Sequence, residues 1–202
     1  MLAEPAVKRV FAFIDGQNLF YAAKDAYGYN SPNYNPKALA EKICIDRGWT
    51  LVKTKFYTGV PDPADNKRLN EFWVAKLLKM SRQGVETYSR ALKYRNKSVK
   101  LPDGKAYSFL SASEKGIDIR IALDVIRSAI LKEYDVALIF SQDQDFTEVA
   151  DEVRLIAVEQ DRWIKVASAY PSSPTNRNTR GINKTEWIKI DRATYDACLD
   201  VP

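Results

Sequence analysis

Histidine is absent from the 202-residue chain. That absence removes Ser-His-Asp and Cys-His nucleophiles, imidazole acid/base ribonuclease chemistry and any metal site built on imidazole. Cysteine is scarce: Cys44 and Cys198 are too few for a thiolate zinc site and read as reduced structural thiols, so nothing calls for an oxidising compartment. None of the eight glycines stands two residues from another. The Gly-rich dinucleotide fingerprint is therefore missing, as is a Walker A sequence, and NAD or ATP binding by those routes is not expected. Long apolar runs are missing too. Val10 to Ile14 is too short for a signal-peptide core, Met1 to Arg9 carries Glu4, Lys8 and Arg9, and no run approaches the roughly 20 residues that span a bilayer. The expectation is a cytoplasmic protein with no membrane partner.

With 46% apolar and 28% charged residues, the chain has the composition of a soluble globular protein, and its length suits one α/β domain better than two. The net charge of +5 is by itself a weak pointer to nucleic acid; its distribution is more telling. Between Arg82 and Lys115 stand Arg82, Arg90, Lys93, Arg95, Lys97, Lys100, Lys105 and Lys115, against Glu86, Asp103 and Glu114, with Tyr88, Tyr94 and Tyr107 interleaved. Such a stretch can track a phosphate backbone and stack bases. The bland alternative is a solvated hairpin face.

Short apolar runs alternate with helical patterns, which predicts an α/β fold with a largely parallel sheet. Val10 to Ile14 reads as a strand buried on both faces. Gln17 to about Arg47 reads as helical, broken by a loop at Gly28 to Asn33 and restarted at Asn35-Pro36. Thr50 to Thr58 is the next strand. Asp65 to Arg82 is a helix with a one-sided stripe of Leu69, Phe72, Trp73, Lys76, Leu77 and Met80, ended by Gly84. Val85 to Tyr94 reads as a strand, and Lys100 to Gly104 as a hairpin turn with a return arm from Ala106 to Leu110. Further along, the pattern gives a helix at Ile117 to Lys132, a strand at Val136 to Ser141, a helix at Phe146 to Gln160 and a strand at Trp163 to Tyr170. A polar loop follows at Pro171 to Asn183, then a strand at Trp187 to Ile190 and a helix near Arg192 to Leu199. The domain is expected to span 9–190, with 191–202 a C-terminal helix packed on it.

Ligands of open parallel sheets bind at the carboxyl ends of the strands, and two acidic clusters fall there. Asp15, with Asn18 three residues on, follows Val10 to Ile14; Ser141-Gln-Asp143-Gln-Asp145 follows Val136 to Phe140. Each cluster alone could be a helix N-cap, but capping does not require the two to converge. Lys115-Gly-Ile-Asp118 opens a third acidic element. It continues to Asp124, on the azimuth of Ile117, Ile121 and Ser128, where a buried carboxylate needs a partner: backbone, Lys115 or the site itself. Gathered carboxylates without His or Cys repel one another, and a hard divalent cation, Mg²⁺ or Mn²⁺, is the simplest neutraliser.

Ile14-Asp15-Gly16-Gln17-Asn18, Lys115-Gly116-Ile117-Asp118 through Asp124, and Ser141-Gln142-Asp143-Gln144-Asp145-Phe146 together resemble the NYN-domain family, the LabA-like branch of the PIN-like nucleases, and Leu92-Lys-Tyr-Arg95 fits the same pattern. The resemblance covers roughly Arg9 to Ile190. It implies a PIN-like three-layer α/β/α fold with a mostly parallel central sheet and a β-hairpin insertion, and Mg²⁺- or Mn²⁺-dependent cleavage of RNA, single-stranded for preference, leaving a 5′-phosphate and a 3′-hydroxyl. Carried over, Asp15, Asp118 and Asp143 are the expected metal ligands, Asp145 a further acidic group, and Asn18 and Ser141 positioning groups. Lys115, Arg90, Lys93 and Arg95 are expected on the substrate. Gln142 departs from the small residue usual after the serine and is expected to narrow the site.

Two other readings compete. One is a module that keeps the fold and grips RNA or a protein without cutting it, alone, as a homo-oligomer or under a regulatory partner. The other takes Asp143-Gln-Asp145-Phe-Thr147 as the Asp-x-Asp-x-Thr motif of haloacid-dehalogenase-like phosphatases; in those enzymes the motif lies on the first strand, and too little chain follows Thr147 for the rest.

Overall fold

The computed structural model describes residues 3–100, 104, 106–113 and 115–200. Leu101 to Asp103 of the expected hairpin turn, Lys105 and Glu114 lie outside the described residues. The elements, in chain order, are β1 (Arg9–Asp15), α1 (Gly16–Tyr27), α2 (Pro36–Arg47), β2 (Thr50–Val60), α3 (Pro63–Arg82), β3 (Glu86–Ala91), β4 (Lys93–Lys100) and β5 (Ala106–Ser113). They continue with α4 (Ile117–Ile130), β6 (Val136–Phe140), α5 (Phe146–Glu159), β7 (Lys165–Pro171), β8 (Glu186–Ile190) and α6 (Arg192–Asp196).

Six strands form one sheet in the order β3-β2-β1-β6-β7-β8, every neighbouring pair parallel. The alternation of side chains along a strand decides the layers. Val10, Ala12 and Ile14 of β1 face Leu19 and Ala23 of α1, Leu39 and Ile43 of α2, and Met80 of α3. Phe11 and Phe13 face Ile117, Ile121 and Val125 of α4 and Phe146, Val149 and Val153 of α5. A helix layer on each face of a parallel sheet is the three-layer α/β arrangement expected from the sequence. β1 therefore has no solvent face, which is why its apolar run is continuous.

Two segments differ from expectation. Val85 to Tyr94 is not one strand: β3 leaves the sheet after Leu92, whose N–H donates to Val60 O at 3.0 Å. β2 ends there because Pro61 has no N–H to offer, so residues beyond Leu92 have no partner in the sheet. They turn outward and pair, as β4, with β5 in a separate antiparallel ribbon. The α3 stripe is also split. Lys76 and Met80 are buried, whereas Leu69 and Phe72 are 42% and 38% exposed. Lys76 is no ordinary core residue: its ammonium donates to Tyr34 O at 3.3 Å and pairs with Asp200 at 3.0 Å, tying the C-terminal segment down. Burial would raise the Asp200 carboxyl, but hydrogen bonds from Lys76 and Lys79 outweigh it and hold the group below the usual carboxylate range.

Candidate active site

The strand order reverses between β1 and β6, the point in an open parallel sheet where a crevice opens at the carboxyl ends. Ile14 and Phe140 are register partners, so the next residue on each strand, Asp15 and Ser141, leaves the sheet side by side. Ser141 Oγ donates to Asp15 Oδ2 at 3.5 Å. Asp15 is only 4% exposed, and its other oxygen caps α1 by accepting from Asn18 N at 3.0 Å. One side chain thus both caps α1 and lines the crevice. Capping takes one oxygen, while the carboxylate still borders the crevice.

Asn18 is committed as well. Its Oδ1 accepts from Gln142 N at 3.0 Å, which fastens the start of α1 to the loop after β6. In that loop Asp143 N donates to Ser141 Oγ at 3.2 Å, and Asp143 Oδ1 accepts from Asp145 N at 3.1 Å. Gln142 does more than fill space. Its buried amide donates to Asn178 O at 3.2 Å and Arg180 O at 2.8 Å. Gln144 donates to Gly181 O at 3.0 Å and accepts from Asn183 N at 3.2 Å. Two glutamines thereby hold the polar segment after β7 against the crevice, a role the sequence did not signal because their partners lie far along the chain.

Asp118 arrives from α4. Gly116, with φ of +75°, opens that helix; a side chain there would be strained, and its Cβ would fall 2.5 Å from the Arg90 guanidinium. Asp15, Asn18, Asp25, Asp118, Gln142 and Asp143 line one cavity of about 400 Å³. Asp25 was not anticipated, although Asn18, Tyr21, Ala22 and Asp25 follow i, i+3, i+4, i+7 spacing and so share a face of α1. Asp145, Ser141, Lys115, Arg90, Lys93 and Arg95 are not among the residues lining this cavity. Arg90 lies against the start of α4, donating to Tyr88 OH at 2.7 Å and to Lys115 O at 3.5 Å. Lys93 and Arg95 lie exposed on the β4–β5 ribbon.

Burial first, then repulsion from Asp143 and Asp145, pushes the Asp118 carboxyl above its usual range. Among the described residues, no group of three or more Asp, Glu, Cys or His side chains is close enough to hold one metal ion directly. The donors nevertheless suit a hard, hydrated cation, which needs only one or two direct carboxylates and reaches others through water. A group whose folded-state pKa is raised stabilises below its unfolded value, near 3.9 for Asp, and loses that contribution as pH rises through the folded value. The charged Asp118 therefore opposes folding at neutral pH. We expect Asp118→Asn to raise the melting temperature of the metal-free protein at pH 7 by roughly 1–2 °C, a small gain because the group is partly solvated. Scanning calorimetry at pH 7 and pH 4 checks this; the gain shrinks at pH 4, and a lower melting temperature at pH 7 would contradict the sign.

Asp124 lies outside the cavity. Six residues of helix rotate it about 240° from Asp118, toward β2. There it accepts from Tyr57 OH at 2.8 Å and pairs with Arg120 at 2.8 Å and Lys55 at 3.8 Å. Its partners are these three rather than Lys115. Burial, followed by the bond to Asp124, drives the Tyr57 phenol pKa upward.

A family model described as NYN domain matches residues 9–178. No curated protein matches the sequence. Among solved structures, a protein of unknown function from Vibrio parahaemolyticus is 18% identical, with TM-score 0.50 and coverage of 92% of this chain and 94% of that one. That likeness speaks to fold alone. A ribokinase from Giardia lamblia, 8% identical at TM-score 0.37 and covering 86% of this chain and 53% of its own, carries no functional argument. Among the described residues no helix is long and apolar enough to cross a membrane.

Proposed function

The chain belongs to the NYN-domain family, and on that premise we propose that it is a metal-dependent ribonuclease hydrolysing phosphodiester bonds of single-stranded RNA. One observation carries the reading: Asp15, Asp118 and Asp143, from three separate segments, line a single cavity at the sheet's switch point. Gathering several carboxylates in one cavity costs stability unless a cation is to be held.

Asp15, Asp118 and Asp143 would hold Mg²⁺ or Mn²⁺, with Asp145 a further carboxylate beside Asp143. Bound there, the ion offsets the carboxylate repulsion and the charge that grows on the phosphate during hydrolysis. The chain's own groups do the rest. Asn18 and Ser141 keep Asp15 and the Gln142–Asp143 backbone in place. Asp118 orients the attacking water, and Arg90 and Lys115, which meet just before α4, bind the non-bridging oxygens. Water oxygen bonds to phosphorus, the bond from phosphorus to the 3′ oxygen breaks, and that oxygen takes a proton, leaving a 5′-phosphate and a 3′-hydroxyl.

The test is labelled single-stranded RNA with purified protein, with Mg²⁺ or Mn²⁺ and with EDTA. We expect 5′-phosphorylated products that require the metal and vanish in EDTA. That no three carboxylates among the described residues form a preformed ligand set favours, as the second reading, a module that grips RNA without cutting it; binding with no metal-dependent product would select that reading.

A further inference from the structure

A second cavity beside the site, about 710 Å³, is a groove between α1 and α3 that shares Gln17 and Tyr21 with the acidic cavity. Its walls are Phe20 and Tyr21 from α1 and Phe72 and Trp73 from α3, with Lys24 and Arg68 on it as well. No acidic residue is among the described residues that line it. Leu92 and Ser113 also line it, at the root of the β4–β5 ribbon that carries Lys93 and Arg95.

This groove explains the split stripe of α3. A crossover helix begins at the carboxyl end of the strand it follows, so the first turns of α3 stand at the same sheet edge as Asp15. The chain is also broken there. Asn66 leaves the helical conformation (φ −152°, ψ 83°), and its side chain accepts from Leu69 N at 3.0 Å, restarting the helix. Phe72 and Leu69 consequently project where no layer covers them. Phe72 meets Trp73 edge to face at 5.5 Å and remains partly solvated.

We propose that this groove holds nucleobases of the single strand next to the scissile phosphate, so that RNA runs from the acidic cavity over Tyr21, between α1 and α3, toward the basic ribbon. The proposal rests on the ribonuclease reading and assigns that site its substrate path. Exposed aromatic faces suit bases, which all offer a π-face, and Lys24 and Arg68, with no carboxylate among the described residues lining the groove, suit the flanking phosphates. Duplex RNA, with its bases already stacked and paired, gains nothing from such a groove.

The experiment measures binding rather than cleavage. Full-length protein carrying Asp143→Asn is titrated in EDTA with a single-stranded oligonucleotide containing 5-bromouridine. Phe72→Ala in that background is expected to weaken binding roughly tenfold with little change in the thermal melt, since the ring is partly exposed. Photocrosslinks are expected on the peptide holding Phe72 and Trp73. As a measurement that leaves the protein intact, removing one base from the RNA at the crosslinked position should cost the unsubstituted groove the same factor and the Phe72→Ala groove nothing. Affinity unchanged within twofold, or crosslinks confined to other segments, overturns the proposal. So does a self-association in sedimentation that Phe72→Ala abolishes while RNA affinity stays put, because the groove then belongs to a second copy. Groove-dependent binding by a protein that never cuts RNA under Mg²⁺ or Mn²⁺ leaves the groove standing and removes the hydrolase.

Discussion

Asp143→Asn and Asp15→Asn each lower metal-dependent RNA cleavage by roughly 100-fold or more, while the melting temperature barely moves. Both substitutions exchange one oxygen for an amide nitrogen of nearly the same size. Asn at 143 still accepts from Asp145 N, as Asp143 Oδ1 does now. Asn at 15 still caps α1 by accepting from Asn18 N, and its amide can turn toward Ser141 Oγ. What disappears is a negative charge in a cavity whose proposed task is to hold a cation. Combining the two should cost little more than the worse single change, because groups that act as one unit are not additive. Single-turnover cleavage of labelled RNA, paired with a thermal melt, measures both quantities. Turnover within threefold of the unsubstituted protein would remove these carboxylates from the chemistry.

The opposite signature belongs to Asp124→Ala: a large loss of stability with cleavage per folded molecule intact. The substitution strips the buried Tyr57 hydroxyl of its acceptor, takes this counter-ion from Arg120 and leaves Lys55 paired with Glu86 alone, 3.6 Å away. Removing one member of a partly buried charged network leaves the others less well paired, so the expected cost is about 3 kcal/mol, at the low end of the fully buried case because Arg120 reaches solvent and Lys55 keeps Glu86. For a chain of this length that is a fall of roughly 6–12 °C in melting temperature. Asp124→Asn, which keeps an acceptor for Tyr57, should cost less. Urea unfolding at constant slope reads the difference; a loss under about 0.5 kcal/mol, the size of an exposed pair, would show that the network does not hold α4 to β2.

These two carboxylates show what could be read without coordinates. Asp15 and Asp143 were legible because the first directly follows a run of five apolar residues and the second stands three residues past another, and an apolar run of that length with no alternation reads as an interior strand of a parallel sheet. Its end is then the functional edge. Asp124 was legible as buried from helical periodicity, but its partners were not. Lys115 is near in sequence, whereas Tyr57 and Lys55 lie on β2, which meets α4 only through the fold. Gln142 and Gln144 were opaque for the same reason, their acceptors being backbone carbonyls of a distant loop. The α3 stripe misled because periodicity reports which face of a helix is apolar and says nothing of whether a neighbouring layer extends far enough to cover it.

The sequence by itself determined the alternation of strands and helices, a largely parallel sheet and the acids at two strand ends, since alternation, apolar run length and caps are local consequences of backbone geometry. Tertiary structure alone decided that Asp15, Asp25, Asp118 and Asp143 share a cavity, that Asp124 does not, and that Phe72 borders a groove instead of the core. Those outcomes depend on strand order and on where each layer ends. Both are set by long-range packing, in which each element's burial depends on its neighbours, and no window of sequence carries that information.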